Sequence, residues 1–253
     1  GSLVLFDDDV FFEGNLVRNE LSVSDIGFHK SRALRKRLHA INPDLAIETR
    51  QVRLGGQESS ETIVSAMKQL SECDLIVDAT ADPAAFNIIS AVCRRAKVPA
   101  VWGSVFAGGI GGVVGRALPD LDPEPLDARQ QIRRWCEAQG VEPPSTTDSA
   151  AEYEAQGEDG EPVVATDADV SVIASHVARF ALDSLGPPDR SIFPYSAYVV
   201  GLSAEWIFAA PFDTRPIEYT AQKIWSSEAS VATPEELADF LKLIVPLEAG
   251  SGT

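Results

Sequence analysis

Six polar residues near the amino terminus have the types and spacing to handle a nucleotide. The apolar run Leu3-Val-Leu-Phe6 ends abruptly in Asp7-Asp8-Asp9, and Asn15, Arg18 and Lys30 follow within one loop and the start of a helix. A run of strand formers that stops on acids reads as a buried parallel strand delivering carboxylates to the carboxyl edge of an open sheet. In doubly wound folds ligands bind at that edge. A carboxylate such as Asp7 or Asp9 suits ribose hydroxyls, whereas an amide, a guanidinium and an ammonium suit a triphosphate.

The elements that must position these groups follow from periodicity. Phe28 to Ile41 reads as a helix with Leu34, Leu38 and Ile41 on one face, stopped by Asn42-Pro43. Lys30, in its first turn, is placed to face the nucleotide; Arg32, Arg35, Lys36 and Arg37 read as a solvated face. Ala46 to Leu54 reads as a strand and Glu61 to Leu70 as a helix. Cys73 to Thr80 is the clearest buried strand, and Asp82-Pro83 opens another helix. Pro99 to Val105 and Gly112 to Ala117 read as strands around Gly108-Gly109-Ile110-Gly111-Gly112. A helix over Asp127 to Gln139 precedes the segment Glu142 to Asp169, whose nine acids and absence of Lys or Arg predict a mobile loop. Val170 to Leu185 reads as an amphipathic helix. Ala197 to Phe208 and Ile217 to Trp225 read as half-buried antiparallel strands joined by a turn at Pro211 to Pro216, and Pro234 to Leu243 as a last helix.

The order Asp7-x-Asp9, Asn15-Leu16-x-Arg18, Asp25-x-Gly27-x-x-Lys30 resembles the ThiF/MoeB type of adenylyltransferase, whose fold is shared with ubiquitin-activating enzymes. The resemblance runs from Leu3 to about Arg116 and returns faintly from Asp167 to Leu185. It implies an α/β fold, a doubly wound Rossmann-like sheet with antiparallel strands and a C-terminal appendage. Members of the family begin with a strand and a G-x-G-x-x-G turn ahead of the equivalent of Leu3, so the chain reads as N-terminally truncated. On this reading residues 1–2 are an expression scar and 3–118 a partial nucleotide-binding core. Residues 119–169 form an acidic crossover and 170–253 a C-terminal segment that completes the domain.

The resemblance also implies chemistry. Mg·ATP would adenylate the C-terminal carboxylate of a ubiquitin-like or sulfur-carrier protein, within a homodimer. Asp7 would fix the ribose, Asn15 a phosphate or bridging oxygen, and Arg18 and Lys30 would neutralise the phosphates. The family motif D-x-T-D-N holds Mg²⁺ on the acid after the threonine. Here the residues are Asp78-Ala79-Thr80-Ala81-Asp82, so Ala81 stands at the acid position, and Asp82, with Asp78 nearby, is left for the metal. Asp82 reads equally as the helix N-cap before Pro83. In transthiolating relatives the crossover bears a cysteine. Cys136 is the candidate for such a thioester here, although Ile132, Trp135 and Cys136 share a helix face and a packed thiol is the plainer reading. Small residues at Gly108 to Gly112 would let an extended protein tail approach closely, or simply turn a tight sheet corner.

Composition sets the bounds. A formal charge of −17 argues against nucleic acid or an anionic membrane as the main partner. No apolar run approaches the length that spans a bilayer. Cys73, Cys93 and Cys136 form no C-x-x-C pair, so no zinc is expected and a reduced, cytoplasmic setting is the default. Two functional classes remain: an adenylyltransferase, and a degenerate scaffold or dimerisation module for which Ala81 speaks. A dehydrogenase is the poorer third, because no glycine fingerprint precedes Asp7.

Overall fold

The computed structural model describes residues 1–140, 154–156, 162–220 and 225, without the side chains of Arg18, 154–156 and 162–163. Strand β1 (Ser2–Phe6) runs parallel to β2 (Ala46–Arg50), with Leu3 beside Ile47 and Leu5 beside Thr49. The crossover between them is α1 (Lys30–Ile41). Helix α2 (Ser60–Ser71) leads to β3 (Ile76–Asp78), and α3 (Pro83–Ala96) leads to β4 (Ala100–Val105), parallel to β3. The sheet then turns antiparallel through β5 (Gly111–Ala117). After α4 (Pro125–Glu137) come the short antiparallel strands β6 (Glu154–Gln156) and β7 (Pro162–Val164), then α5 (Asp167–Ser184). Strands β8 (Ala197–Gly201) and β9 (Thr214–Ile217) complete a five-stranded sheet of order β3-β4-β5-β8-β9.

Alternation along the strands explains why helices cover both faces. Ala100, Trp102, Val113, Ala117 and Val199 face α2, α3 and α4, meeting Met67, Leu70, Ile88 and Ile132 in the main core. Their neighbours Val101, Val114 and Val200 face the other way, against Ile173 and Phe180 of α5. Helix α5 sits so close to β4 that a Cβ at Gly103 would lie 2.4 Å from Val177 Cγ2, and only glycine fits there. It starts on a reciprocal cap: Thr166 N–H donates to Asp169 Oδ2 (2.8 Å) and Asp169 N–H to Thr166 Oγ1 (3.4 Å). The α/β sheet with helices on both faces and antiparallel strands at one side is the expected architecture.

Boundaries differ from the sequence reading in ways that have causes. Strand β2 stops at Arg50, four residues before Leu54, because Gly55-Gly56 turns the chain. The long strand expected at Cys73 to Thr80 narrows to three residues. The strand expected to begin at Ile217 instead ends there. Thr214 to Ile217 pairs with β8 despite Pro216, because an edge strand tolerates a missing N–H. The chain turns earlier, between Gly201 and Asp213, through Trp206 and Phe212 in left-handed backbone. Within the acidic stretch read as a loop, β6 and β7 pair, and α5 begins three residues ahead of Val170. The remainder of that stretch and the expected helix over Pro234 to Leu243 lie outside the described residues. Among the described residues no helix is long and apolar enough to cross a membrane.

Candidate functional site

The carboxyl end of β1 is tied to the first turn of α1 by hydrogen bonds that also set the candidate side chains. Asp7 N–H extends the ladder to Arg50 O (3.0 Å), and Asp7 Oδ1 accepts from Asp9 N–H (2.8 Å), which bends the chain out of the strand. Ser31 Oγ donates to Asp7 O (3.1 Å), and His29 Nδ1 lies 3.1 Å from Asp8 O. Lys30 N–H donates to Asp9 O (2.9 Å) while Lys30 Nζ reaches Asp9 Oδ2 (2.7 Å). Asp7, Asp9 and Lys30 thus share one corner at the carboxyl end of a parallel strand. Oxygens of Asp7, Asp8 and Asp9 lie within 4.8 Å of one another, and Lys30 offsets part of that charge. Burial raises the Asp7 carboxyl above the usual range, opposed by the Asp9 amide and by Lys30.

The intervening loop folds over a small core of its own. Phe11 is buried with Leu21 and Ala33, and Phe11 N–H donates to Phe28 O (2.8 Å), which closes the segment at its neck. Asn15 lies in the 3₁₀ turn Glu13–Arg18, where its Oδ1 accepts from Phe12 N–H (3.0 Å). Arg18 ends that turn; its side chain lies outside the described residues.

A second group sits where β3 meets α3. Asp78 is buried, and its Oδ1 accepts from Thr80 N–H (2.9 Å) and Thr80 Oγ (2.7 Å). Burial raises its carboxyl above the ordinary range, against the Thr80 bonds and the Arg129 charge. Ala81 is left-handed, with φ of 54°. Asp82 caps α3, its Oδ1 accepting from Ala84 N–H (2.8 Å) and Ala85 N–H (3.4 Å). Its Oδ2 faces a guanidinium that sequence reasoning missed: Arg53 Nη2 lies 3.7 Å away. The sequence pattern puts Arg53 inside a strand, and the signal for a turn is Gly55-Gly56 just after it.

The fit to a divalent cation is poor at this turn. Mg²⁺ is ordinarily held by one or two carboxylates and the substrate phosphates. Here the acid position is an alanine, the buried Asp78 carboxylate accepts both Thr80 bonds on Oδ1, and Asp82 divides its oxygens between helix amides and an arginine. Cys136 is buried on α4, and burial pushes its thiol up to about 11. His176 sits half-buried on α5 with Nδ1 at 2.8 Å from Val172 O.

Comparison with known proteins gives the family and the fold. The model of the ThiF family matches residues 1–210. The sulfur carrier protein ThiS adenylyltransferase of Escherichia coli K12 is 34% identical over 113 residues, 44% of this chain and 41% of that one. The molybdopterin-synthase adenylyltransferase of the same organism is 35% identical over 105 residues, 41% of this chain and 39% of its own length. The chain thus spans about two fifths of the length of these two relatives. Among solved structures, E. coli MccB with ATP superposes with a TM-score of 0.57 at 16% identity, covering 88% of this chain and 59% of that one, a likeness of fold.

Proposed function

The chain belongs to the ThiF family, and from that premise we propose that it carries part of a site where ATP adenylates the C-terminal carboxylate of a sulfur-carrier or ubiquitin-like protein. The observation that carries the reading is the corner of Asp7, Asp9 and Lys30 at the end of β1, a ribose-type acid beside a phosphate-type cation. In the reaction a carboxylate oxygen of the protein tail attacks the α-phosphorus. The bond to the β-phosphate oxygen breaks, leaving an acyl adenylate and pyrophosphate. Asp7 holds the ribose hydroxyls. Lys30 leaves Asp9 for the phosphates, Arg18 joins it, and Asn15 steadies a bridging oxygen. A homodimer and a cytoplasmic setting belong to the same reading as expectations of the family.

The sheet supports a further element of that site. Among the described residues β1 pairs only with β2, and β3 only with β4, so each keeps an edge free, while Phe6 and Val52 tie both parts to one core. Leu3 and Val77 are correspondingly exposed, 41% and 49%. A parallel strand pairing with both edges would bring a turn to the phosphates at the crevice. The chain alone is therefore expected to bind ATP weakly and to adenylate poorly.

Calorimetric titration of ATP into this chain, and into one extended upstream by a strand-turn-helix unit of roughly thirty residues, tests the reading. Weak saturable binding, tightened by the extension and lost in Lys30→Ala, is expected. Absence of binding in both lengths would leave the alternative, a degenerate scaffold or dimerisation module, for which left-handed Ala81 at the acid position speaks.

A further inference from the structure

We propose that Arg53 is the cation that meets the nucleotide phosphates at the β3–α3 turn, held in place by Asp82; this rests on the nucleotide reading above. At this turn an alanine stands at the acid position, and the two carboxylates nearby already have partners. Asp82 Oδ1 is committed to the amides of Ala84 and Ala85, and its Oδ2 already faces positive charge. Asp78 is buried behind it and bonded to Thr80. What the fold supplies at this place is a guanidinium.

The root of Arg53 is fixed while its tip is open. Val52 packs on the main core and Leu54 is buried. Gly56 N–H donates to Arg53 O (3.1 Å), closing the turn. Gly55, with φ of 85°, lies so near α3 that a Cβ there would stand 2.6 Å from Ala84 Cβ. The turn is therefore seated on the first turn of α3, and Arg53 cannot drift from the edge. Its side chain is 62% exposed, so most of its five donors face solvent. The 3.7 Å separation from Asp82 is long for a charge-assisted bond, which leaves the fork free to turn to a better acceptor. A phosphate oxygen pair matches that fork, and Asp82 keeps the guanidinium aimed until one arrives.

Inorganic tripolyphosphate and ATP, titrated calorimetrically into the intact chain in EDTA and again in excess Mg²⁺, provide the test. Arg53→Ala should weaken both ligands about ten- to a hundredfold in EDTA, with Arg53→Lys recovering part of the loss. Asp82→Asn should weaken them less, since it removes only the positioning charge and keeps a capping oxygen. The melting curves of all variants should match the parent, so a loss of binding reads as a lost contact. Wild-type affinity retained in Arg53→Ala but lost in Lys30→Ala overturns the role of Arg53 and leaves the nucleotide reading standing. Binding that requires Mg²⁺ and vanishes in Asp82→Asn overturns it in favour of a metal. No saturable binding by the parent chain or by its upstream-extended form overturns both.

Discussion

Arg116–Asp183 and Arg53–Asp82 join the same two side-chain types in opposite surroundings. In the first, between β5 and α5, both side chains are almost wholly buried and Arg116 Nη1 lies 2.5 Å from Asp183 Oδ2. Arg116 also donates to Ser191 Oγ and Ser196 Oγ, and its guanidinium stands 5.0 Å over the Phe180 ring. Nε, Nη1 and Nη2 of Arg116 each have a partner within the fold. In the second, at the carboxyl edge, the arginine side chain is 62% exposed, with Asp82 at 3.7 Å as its ion-pair partner among the described residues. Desolvation separates the two roles. A buried pair must be complete because an unpaired buried charge is expensive, whereas an exposed pair contributes little and stays available for a ligand.

Breaking the buried pair should give the largest effect. Arg116→Ala leaves the Asp183 carboxylate enclosed without its counter-ion, and urea denaturation should show a loss of about 3–5 kcal/mol. A loss no larger than that of an exposed arginine would show that solvent reaches the pair.

The pH dependence sharpens the contrast further. Burial pulls the Asp183 carboxyl up, but the Ser191 hydroxyl, the Ile192 amide and Arg116 outweigh it and hold it below its ordinary value of 3.8. Its contribution to stability is present above that value and disappears as pH falls through the lower folded pKa. Asp78 behaves oppositely. Its carboxyl is raised from 3.8, so its contribution is complete below that value and is lost as pH rises through the higher folded pKa. Paired denaturation series should show the advantage of the parent over Asp183→Asn shrinking in acid. The stability of Asp78→Asn relative to the parent should rise as pH rises above 3.8. Parallel curves for either variant would remove the corresponding shift.

Smaller effects belong to the open edge. Ala81 carries a left-handed backbone that disfavours a Cβ, so Ala81→Gly should gain about 0.5–1 kcal/mol. A loss there would mean that the Ala81 methyl packs usefully. Arg53→Ala should change thermal stability by less than about 0.5 kcal/mol, the counterpart to Arg116→Ala that makes the comparison quantitative.

Much of this was legible in the chain and some was not. Helices α1 to α5 announced themselves by the spacing of apolar residues, and Asp82-Pro83 marked the start of α3 because cap and proline are local signals. The corner of Asp7, Asp9 and Lys30 was legible because its parts lie close to one strand end. Arg53 was not, since its meeting with Asp82 depends on a glycine turn pressed against a helix from another part of the chain. The pair β6–β7 was hidden by its acidic composition: its hydrogen bonds are backbone bonds, which side-chain polarity does not report. Strand β9 was hidden by Pro216, read as a turn residue until its place at a sheet edge was known.

The edges of β1 and β3 that are free among the described residues also bear on behaviour in solution. The far end of the five-stranded sheet is guarded, since β9 bears Arg215 and Pro216, which discourage another strand from adding there. Strand β1, Ser-Leu-Val-Leu-Phe, has neither charge nor proline along its length. An unguarded apolar edge of that kind templates aggregation, so this chain should precipitate with increasing concentration through its amino-terminal strand. A lysine at Leu3, where the side chain is already exposed, should raise its solubility limit while leaving the guarded edge and the main core untouched.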